Sequence, residues 1–489
     1  MAGLMKINVA DDVAVALLDL PKGTMADGVC LLDDVPFGHK VAIRDLPAGA
    51  EIIKYGAPIA RATRDIRAGE HVHTHNAHTR LSGKDAYAVH PSPSAFETLP
   101  SATFEGYARA NGSVGVRNEV WIVPTVGCVN EVARMAAAEA NRLFAVRMDG
   151  VYALTHNMGC SQLGDDLTNT QKLLAGLVNH PNAVGVLVMS LGCENNHLEE
   201  FMPMLGDYDP DRVKFLVCQD VPDEIDAALS ILSGLCARAE NEKRVPLSAE
   251  KLVIGMKCGG SDAFSGITAN PLCGCVSDRL VSMGGASILT EVPEMFGAEE
   301  SLMARATSEA VFHDIGRMID ACKDTFLRSG APISENPSPG NRAGGITTLE
   351  EKSLGCIQKG GRAPVSHVLG FGERAVAGGL NLLYGPGNDL VSCTNLVASG
   401  AQMILFTTGR GNPFGAPVPT VKISSNTQLA QKKPNWIDFD AGSALDIGVD
   451  ALADSFFQYV LDVASGRKKT QSERRDIRAI SIYHDGVTL

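Results

Sequence analysis

The sequence predicts an α/β protein in which a small N-terminal β domain precedes a large region of βαβ units built on a mostly parallel sheet. Three observations carry this expectation. Apolar runs rich in branched residues end repeatedly in Gly-Cys, as in Val184-Gly-Val-Leu-Val-Met-Ser-Leu-Gly-Cys193, which reads as a buried strand leaving through a tight turn. Between these runs the apolar residues recur at helical spacing, giving the strand–helix alternation of βαβ units. The first eighty residues lack that alternation and show short segments punctuated by Gly and Pro, the signature of a small β domain.

In the N-terminal part, Leu46-Pro-Ala-Gly49 is echoed by Ile66-Arg-Ala-Gly69, so two similar turns are expected about twenty residues apart. A β domain over residues 1–85 is followed by a proline-bearing linker over 86–106, including Val89-His-Pro-Ser-Pro-Ser94, where proline holds the chain extended. Residues 107–489 form the large region, with a subdivision expected near residue 330.

Along that region, Val120-Trp-Ile-Val-Pro-Thr-Val-Gly-Cys128 reads as an edge or short strand because of its proline. Tyr152-Ala-Leu-Thr-His-Asn-Met-Gly-Cys160 reads as a further strand-to-turn junction. A helix capped at Asp165 or Asp166 carries Leu173, Leu174, Leu177 and Val178 on one face and stops at His180-Pro181. Strands over 183–191 and 213–217 alternate with helices marked by Leu198, Phe201 and Met202, and by Ile225, Leu229, Leu232 and Cys236. The sharpest junction is Lys251-Leu-Val-Ile-Gly-Met-Lys-Cys-Gly-Gly-Ser-Asp262. A strand over 287–295 brings Glu291 and Glu294, a long helix is expected over 298–327, and residues 334–361 read as an extended loop because of their Pro and Gly content.

With 489 residues, 45% of them apolar and 20% charged, the chain can bury a sizeable core. Twelve cysteines without a dense short-spaced framework suit reduced thiols in the cytoplasm. A net charge of −13 argues against nucleic acid, and no apolar stretch reaches the roughly 20 residues of a membrane span. The expected partner is a small molecule, with a homodimer as the expected assembly.

In an open α/β sheet, ligands sit outside the carboxyl ends of the strands, so Cys128, Cys160, Cys193 and Cys258 are expected at such a crevice. Glu70-His-Val-His-Thr-His-Asn76 places His71, His73 and His75 on one face of a strand, which suits metal ligation or a solvated polar face. Arg410, held between glycines in Phe406-Thr-Thr-Gly-Arg-Gly411, suits bidentate carboxylate binding.

Taken together, Gly159-Cys-Ser-Gln-Leu-Gly-Asp-Asp166, Gly192-Cys-Glu-Asn-Asn196, Cys258-Gly-Gly-Ser-Asp262, Thr290-Glu-Val-Pro-Glu294, Asn336-Pro-Ser-Pro-Gly-Asn341 and Phe406-Thr-Thr-Gly-Arg-Gly411 resemble the altronate and galactarate dehydratase family over essentially the whole chain. The resemblance implies an N-terminal SAF-type β-clip domain, dehydration of hexonate or hexarate sugar acids in hexuronate catabolism, and a divalent metal, Fe2+ with Mn2+ as alternative.

Dehydrating a sugar acid removes the proton α to a carboxylate and expels the β-hydroxyl, which calls for a base, cationic clamps and Lewis-acid assistance. Residue chemistry nominates His156, Lys257 and Glu291 for catalysis, and Arg410, Lys359, Asn388, Ser261 and Asp262 for substrate binding. The metal ligands expected are His71, His73 and His75 with Glu194. The alternative set is Cys160, Cys193 and Cys258, which would suit a [4Fe-4S] cluster. A galactarate or other aldarate substrate, and a non-catalytic sugar-acid binder or redox sensor, are the competing readings.

Overall fold

The computed structural model describes residues 3–83, 87, 90–92, 96–144 and 148–487, so the linker expected over 86–106 lies partly outside the described residues. The N-terminal part is all β. One antiparallel sheet runs in the order Leu4–Met5, Val13–Ala16, Lys40–Ala42, His71–Val72, and a second joins Glu51–Lys54, Ala57–Ala62 and Ala77–His78. The two echoed turns meet, since Leu46 and Ile66 form an antiparallel bridge with a left-handed glycine three residues after each. Leu20-Pro-Lys-Gly23 and Val35-Pro-Phe-Gly38 repeat the same arrangement, bridged through Leu20 and Val35.

The large region holds two parallel sheets rather than one. The first orders its strands Val151–Ala153, Glu119–Pro124, Ala183–Ser190, Val213–Val217. Glu119–Pro124 is therefore an interior strand, correcting the edge expected from Pro124; the proline sits at its last residue, where the ladder ends. Ala183–Ser190 is buried throughout, as a parallel strand covered on both faces should be. The helix Gly164–Val178 forms as expected, but Leu163 occupies its N-cap while Asp165 and Asp166 lie in its first turn, where carboxylates suit the helix dipole.

The second sheet has seven parallel strands in the order Val365–Leu369, Gly379–Leu383, Ala286–Leu289, Val253–Cys258, Met403–Thr408, Thr420–Ser424, Phe439–Asp440. The change from one sheet to the other falls between Val213–Val217 and Val253–Cys258, not near residue 330. From Val253–Cys258 the chain winds first to one side and then to the other, which makes this strand the switch point where a crevice opens. The helix expected over 298–327 is broken into Glu299–Met303 and Glu309–Ser329. The loop expected over 334–361 contains two helices, Pro339–Ala343 and Leu349–Cys356, started by the side-chain caps of Ser338 and Thr348. Capping outweighs the surrounding Pro and Gly there.

Candidate active site

Three strand ends of the seven-stranded sheet and the helix Leu349–Cys356 with its following turn gather a buried polar cluster. Lys257 reaches Glu291 on the neighbouring strand's loop and lies 2.9 Å from Asp389 Oδ1. Cys258 Sγ is 3.0 Å from Glu294 Oε2, 3.5 Å from Cys356 Sγ and 2.9 Å from Lys359 Nζ. Cys356 Sγ is also 3.0 Å from Glu294 Oε2, and Lys352 Nζ lies 2.8 Å from Glu294 Oε1. Glu291 holds its place through a left-handed backbone at φ 71°.

Charges this deep survive only when paired. The Cys356 thiol donates to Cys258, and with Lys359 and Lys257 near it pulls the Cys258 thiol down to about 6 against the effect of burial. Burial alone would raise Glu294, but Lys352, Lys359 and Lys257 hold it below the usual carboxylate range. Burial would lower Lys257, yet Glu291 and Asp389 hold it up as an ammonium. An ammonium cannot take a proton, so Lys257 is corrected from base to electrostatic partner. Lys359 is likewise committed to the Cys258 sulfur rather than free to clamp a carboxylate.

Cys258, Glu294 and Cys356 are the one group among the described residues whose possible ligand atoms all lie within 4.8 Å of one another. A dication there would face two ammonium groups already paired with these donors, Lys359 with Cys258 and Lys352 with Glu294, so the set suits acid–base and electrostatic work better than metal binding.

The N-terminal domain docks on the chain that follows the helix Pro339–Ala343. Lys40 Nζ donates to Gly345 O at 2.8 Å, Thr347 Oγ1 at 2.7 Å and Glu351 Oε2 at 2.9 Å, while Lys54 Nζ meets Glu351 Oε1 at 2.7 Å. Gly345 is in the left-handed region, and a Cβ on it would collide with the carbonyl oxygen of Gly38, so the two loops touch only because no side chain intervenes.

At this junction lie the histidines. The strand ends at Val72 and the chain turns through His73 to Asn76, so the expected single strand face does not exist. The rings gather nonetheless, and His39, absent from the expectation, joins them. His39 Nδ1 is 3.0 Å from His71 Nε2, and the His39 and His73 ring centroids are 5.0 Å apart. His73 Nδ1 meets Thr347 Oγ1 at 2.9 Å, whereas His75 is exposed at the rim, its ring 5.3 Å from that of His71. Burial and the nearby Lys40 favour neutral imidazoles, which is the form that binds a metal.

Beside this cluster is a cleft of about 330 Å³ lined by Phe37, Gly38, Asp262, Gly344, Arg410 and Asn426, among others. Asp262 is the only carboxylate among its described lining residues, and its oxygens accept from Ser265 Oγ at 2.9 Å, Ser425 Oγ at 2.7 Å and Asn426 Nδ2 at 3.0 Å. Burial outweighs these donors and raises its pKa. Arg410 is exposed, its loop fixed by the Arg410 N–H donating to Gly260 O at 2.9 Å. Ser261 is buried next to Asp262, with its carbonyl accepting from Asn341 Nδ2 at 2.7 Å.

Three other nominated residues serve structure. Both ring nitrogens of His156 are occupied, by Pro124 O at 2.9 Å and the Met158 N–H at 3.1 Å, which removes it as a base. Glu194 accepts from Thr125, Ser190, Leu191 and Gly192, so its carboxylate braces a turn and is not a free ligand. Asn388 is the exposed N-cap of the helix Asp389–Ala398. The alternative cysteine set also divides, because Cys258 joins Cys356 and Glu294 while Cys160 and Cys193 are exposed at the other parallel sheet.

A parallel sheet whose switch point carries paired lysines and carboxylates, with a carboxylate–arginine cleft closed by a β domain, defines an acid–base enzyme site for a small anionic substrate. Family models match throughout: an altronate/galactarate dehydratase SAF domain at residues 2–80, a D-galactarate dehydratase/altronate hydrolase second domain at 106–240, and a D-galactarate/altronate dehydratase C-terminal region at 249–488. The chain belongs to the altronate/galactarate dehydratase family. It is 49% identical to an altronate dehydratase of Escherichia coli over 99% of both chains, and 48% identical to one of Bacillus subtilis over 100% of both. A galactarate dehydratase (L-threo-forming) of Escherichia coli is 34% identical over 96% of this chain and 94% of its own.

Proposed function

We infer that this protein is a hydro-lyase that removes water from altronate to give a 2-keto-3-deoxy hexonate, in the cleft between the β domain and the seven-stranded sheet. The observation that carries this reading is the meeting of Asp262 and Arg410 in one cavity beside three gathered histidines. Near-identical coverage by two altronate dehydratases favours an aldonate over an aldarate substrate.

Arg410 binds the substrate carboxylate as a planar two-pronged donor. Asp262, its basicity raised by burial, accepts the α-proton. The electron pair of the broken C–H bond forms the enol as the β C–O bond breaks, and the hydroxyl leaves with a proton as water. The enol then tautomerises to the 2-keto acid. His39, His71 and His73 are the candidate ligands for a divalent iron, with manganese as substitute, because neutral imidazole nitrogens suit either ion; their ring nitrogens do not all lie within 4.8 Å of one another, so the rings would draw together on binding. Bound there, the metal would supply a Lewis acid for the substrate's oxygens. The setting is taken to be cytoplasmic, in sugar-acid catabolism.

Incubating the protein, loaded anaerobically with Fe2+, with a panel of aldonates and aldarates tests the reading. Formation of 2-keto-3-deoxy acid from altronate in preference to galactarate is expected. Turnover of galactarate alone would overturn the substrate assignment, and turnover of neither would overturn the activity.

A further inference from the structure

The four-stranded sheet carries a second constellation that the proposed chemistry does not use. Its three neighbouring strands Val151–Ala153, Glu119–Pro124 and Ala183–Ser190 lead into turns that each place a cysteine directly after a glycine: Cys160, Cys128 and Cys193. All three thiols are exposed. Free cysteine is among the most buried residue types, so three exposed together at the carboxyl ends of adjacent parallel strands call for an explanation beyond packing.

The turns are laced to one another. The Gly127 N–H donates to Met158 O at 3.0 Å, and the Asn196 N–H donates to Gly159 O at 2.9 Å. Asn196 Nδ2 donates to Thr125 O at 3.0 Å, and the Ser161 N–H donates to Asn195 Oδ1 at 2.6 Å. Asn196 thus ties all three turns, yet its own Oδ1 is buried without a hydrogen-bond partner. A Cβ at Gly159 would strike the carbonyl oxygen of Thr125, so the glycine allows the Cys160 turn to lie against the Cys128 turn. Glu194, the acid nearest these thiols in sequence, is turned inward onto Thr125, Ser190 and the Gly192 N–H. A carboxylate that would repel an anionic group is thereby withdrawn.

The three sulfurs are spaced more widely than 4.8 Å as a set. Thiolates around one tetrahedral ion with metal–sulfur bonds of about 2.3 Å would all lie within that distance. One shared ion is therefore a poor match for the three, and what brings them to one side of the sheet is the hydrogen bonding that ties their turns together. The next strand, Val213–Val217, is followed by the half-buried Cys218, but Gln219, not Cys218, reaches the group, with Nε2 3.5 Å from Cys193 Sγ.

We propose that Cys128, Cys160 and Cys193 hold an iron–sulfur cluster of the four-iron class, with three irons bound by cysteine and the fourth iron without a cysteine ligand. The cluster's place is not remote from the catalytic sheet. Four residues beyond Cys160 begins the helix whose Asp165 and Asp166 line, with Pro386 and Gly387, a cavity of about 430 Å³. The latter two residues precede Asp389, the partner of Lys257.

The experiment is anaerobic purification of the full chain with assay of iron and acid-labile sulfide, alongside the visible spectrum and electron paramagnetic resonance after reduction. About four sulfides per chain are expected, with loss of sulfide in Cys128→Ser/Cys160→Ser/Cys193→Ser and in Cys128→Ala alone. Exposed positions tolerate these changes, and circular dichroism checks that fold is kept. Cys258→Ser should keep its sulfide. Iron without sulfide in the wild-type protein after anaerobic reconstitution would overturn the proposal, as would sulfide retained in the triple variant. Neither outcome bears on altronate turnover by the histidine-bound metal.

Discussion

Cys258 Sγ and Lys359 Nζ lie 2.9 Å apart with both residues fully buried, which makes an ion pair of a group that is ordinarily a neutral core thiol. The pair joins the central strand of the seven-stranded sheet to the turn after the helix Leu349–Cys356. It therefore couples the sheet's switch point to the segment on which the N-terminal domain docks.

Replacing Lys359 by Met leaves the thiolate without its cation, and breaking one side of a buried pair costs about 3–5 kcal/mol. The Cys258 thiol should then titrate at higher pH than about 6, read from thiolate ultraviolet absorbance. The sign follows from the depressed value. Above the ordinary thiol pKa of 9.0 the pair's stabilisation is complete, and it fades as pH falls through about 6. Wild-type protein should lose stability over that window, and Lys359→Met should show a flatter dependence. Identical slopes would remove the ion pair.

The Lys40, Lys54 and Glu351 triad fastens the β domain to the catalytic sheet. Burial would raise Glu351, but the two lysines bring it down to about 2. Glu351→Gln leaves two buried ammonium groups facing a neutral amide, with an expected loss of about 3–5 kcal/mol. Because the folded carboxylate is depressed, its contribution is full above pH 4.5 and disappears as pH falls through about 2. Thermal unfolding at neutral pH should show the β domain releasing at lower temperature in the variant, and unchanged melting would deny the triad its tethering role.

Within the cleft, Arg410→Lys replaces two parallel donors by a point charge. KM for altronate should rise by about tenfold, roughly 1.4 kcal/mol, with kcat moving less. Asp262→Asn should lower kcat by about 10²–10⁴ if it takes the α-proton. Steady-state kinetics on metal-loaded protein separates the two roles, and an Asp262→Asn variant with full kcat would reassign the base.

The sequence makes the strands of this protein easy to read and its charges hard to place. The buried Ala183–Ser190 announces itself because an interior parallel strand is apolar on both faces, and Val213–Val217 reads as a strand by its branched and aromatic residues although Lys214 interrupts it. Gly-Cys at residues 127–128, 159–160 and 192–193 likewise marks strand ends, whereas Gly274-Cys275 and Gly355-Cys356 lie in helices. Lys40, Lys54 and Lys352 carry no such mark, because lysine is usually exposed and only tertiary pairing buries it. His39 was invisible for a similar reason: it is 32 residues from His71 and meets it through antiparallel pairing of Lys40–Ala42 with His71–Val72. Cys356 lay hidden in a Pro- and Gly-rich segment whose helix depends on a single threonine cap. The hydrophobic-x-x-Gly turns at Leu20 and Val35 were legible by the same pattern as the echoed pair at Leu46 and Ile66, and each pair bridges within the β domain.

His156 offers a direct contrast between a structural and a catalytic histidine. Its Nε2 donates to Pro124 O and its Nδ1 accepts from the Met158 N–H, and the residue is only 5% exposed, so no nitrogen remains for a substrate proton. In His156→Leu each backbone group left unsatisfied costs about 1–3 kcal/mol, and the unfolding midpoint should fall accordingly. Burial lowers the folded pKa to about 4 from 6.5, so the unfolded chain binds the proton more readily between these values. Wild-type stability should therefore fall as pH drops from 6.5 toward 4, a slope that His156→Leu lacks. At a temperature where the variant remains folded, kcat per folded molecule should match wild type. A catalytic base would instead cost about 10²–10⁴ in kcat and erase the acidic limb of the pH profile; that result, rather than a lowered melting point, would return His156 to the reaction.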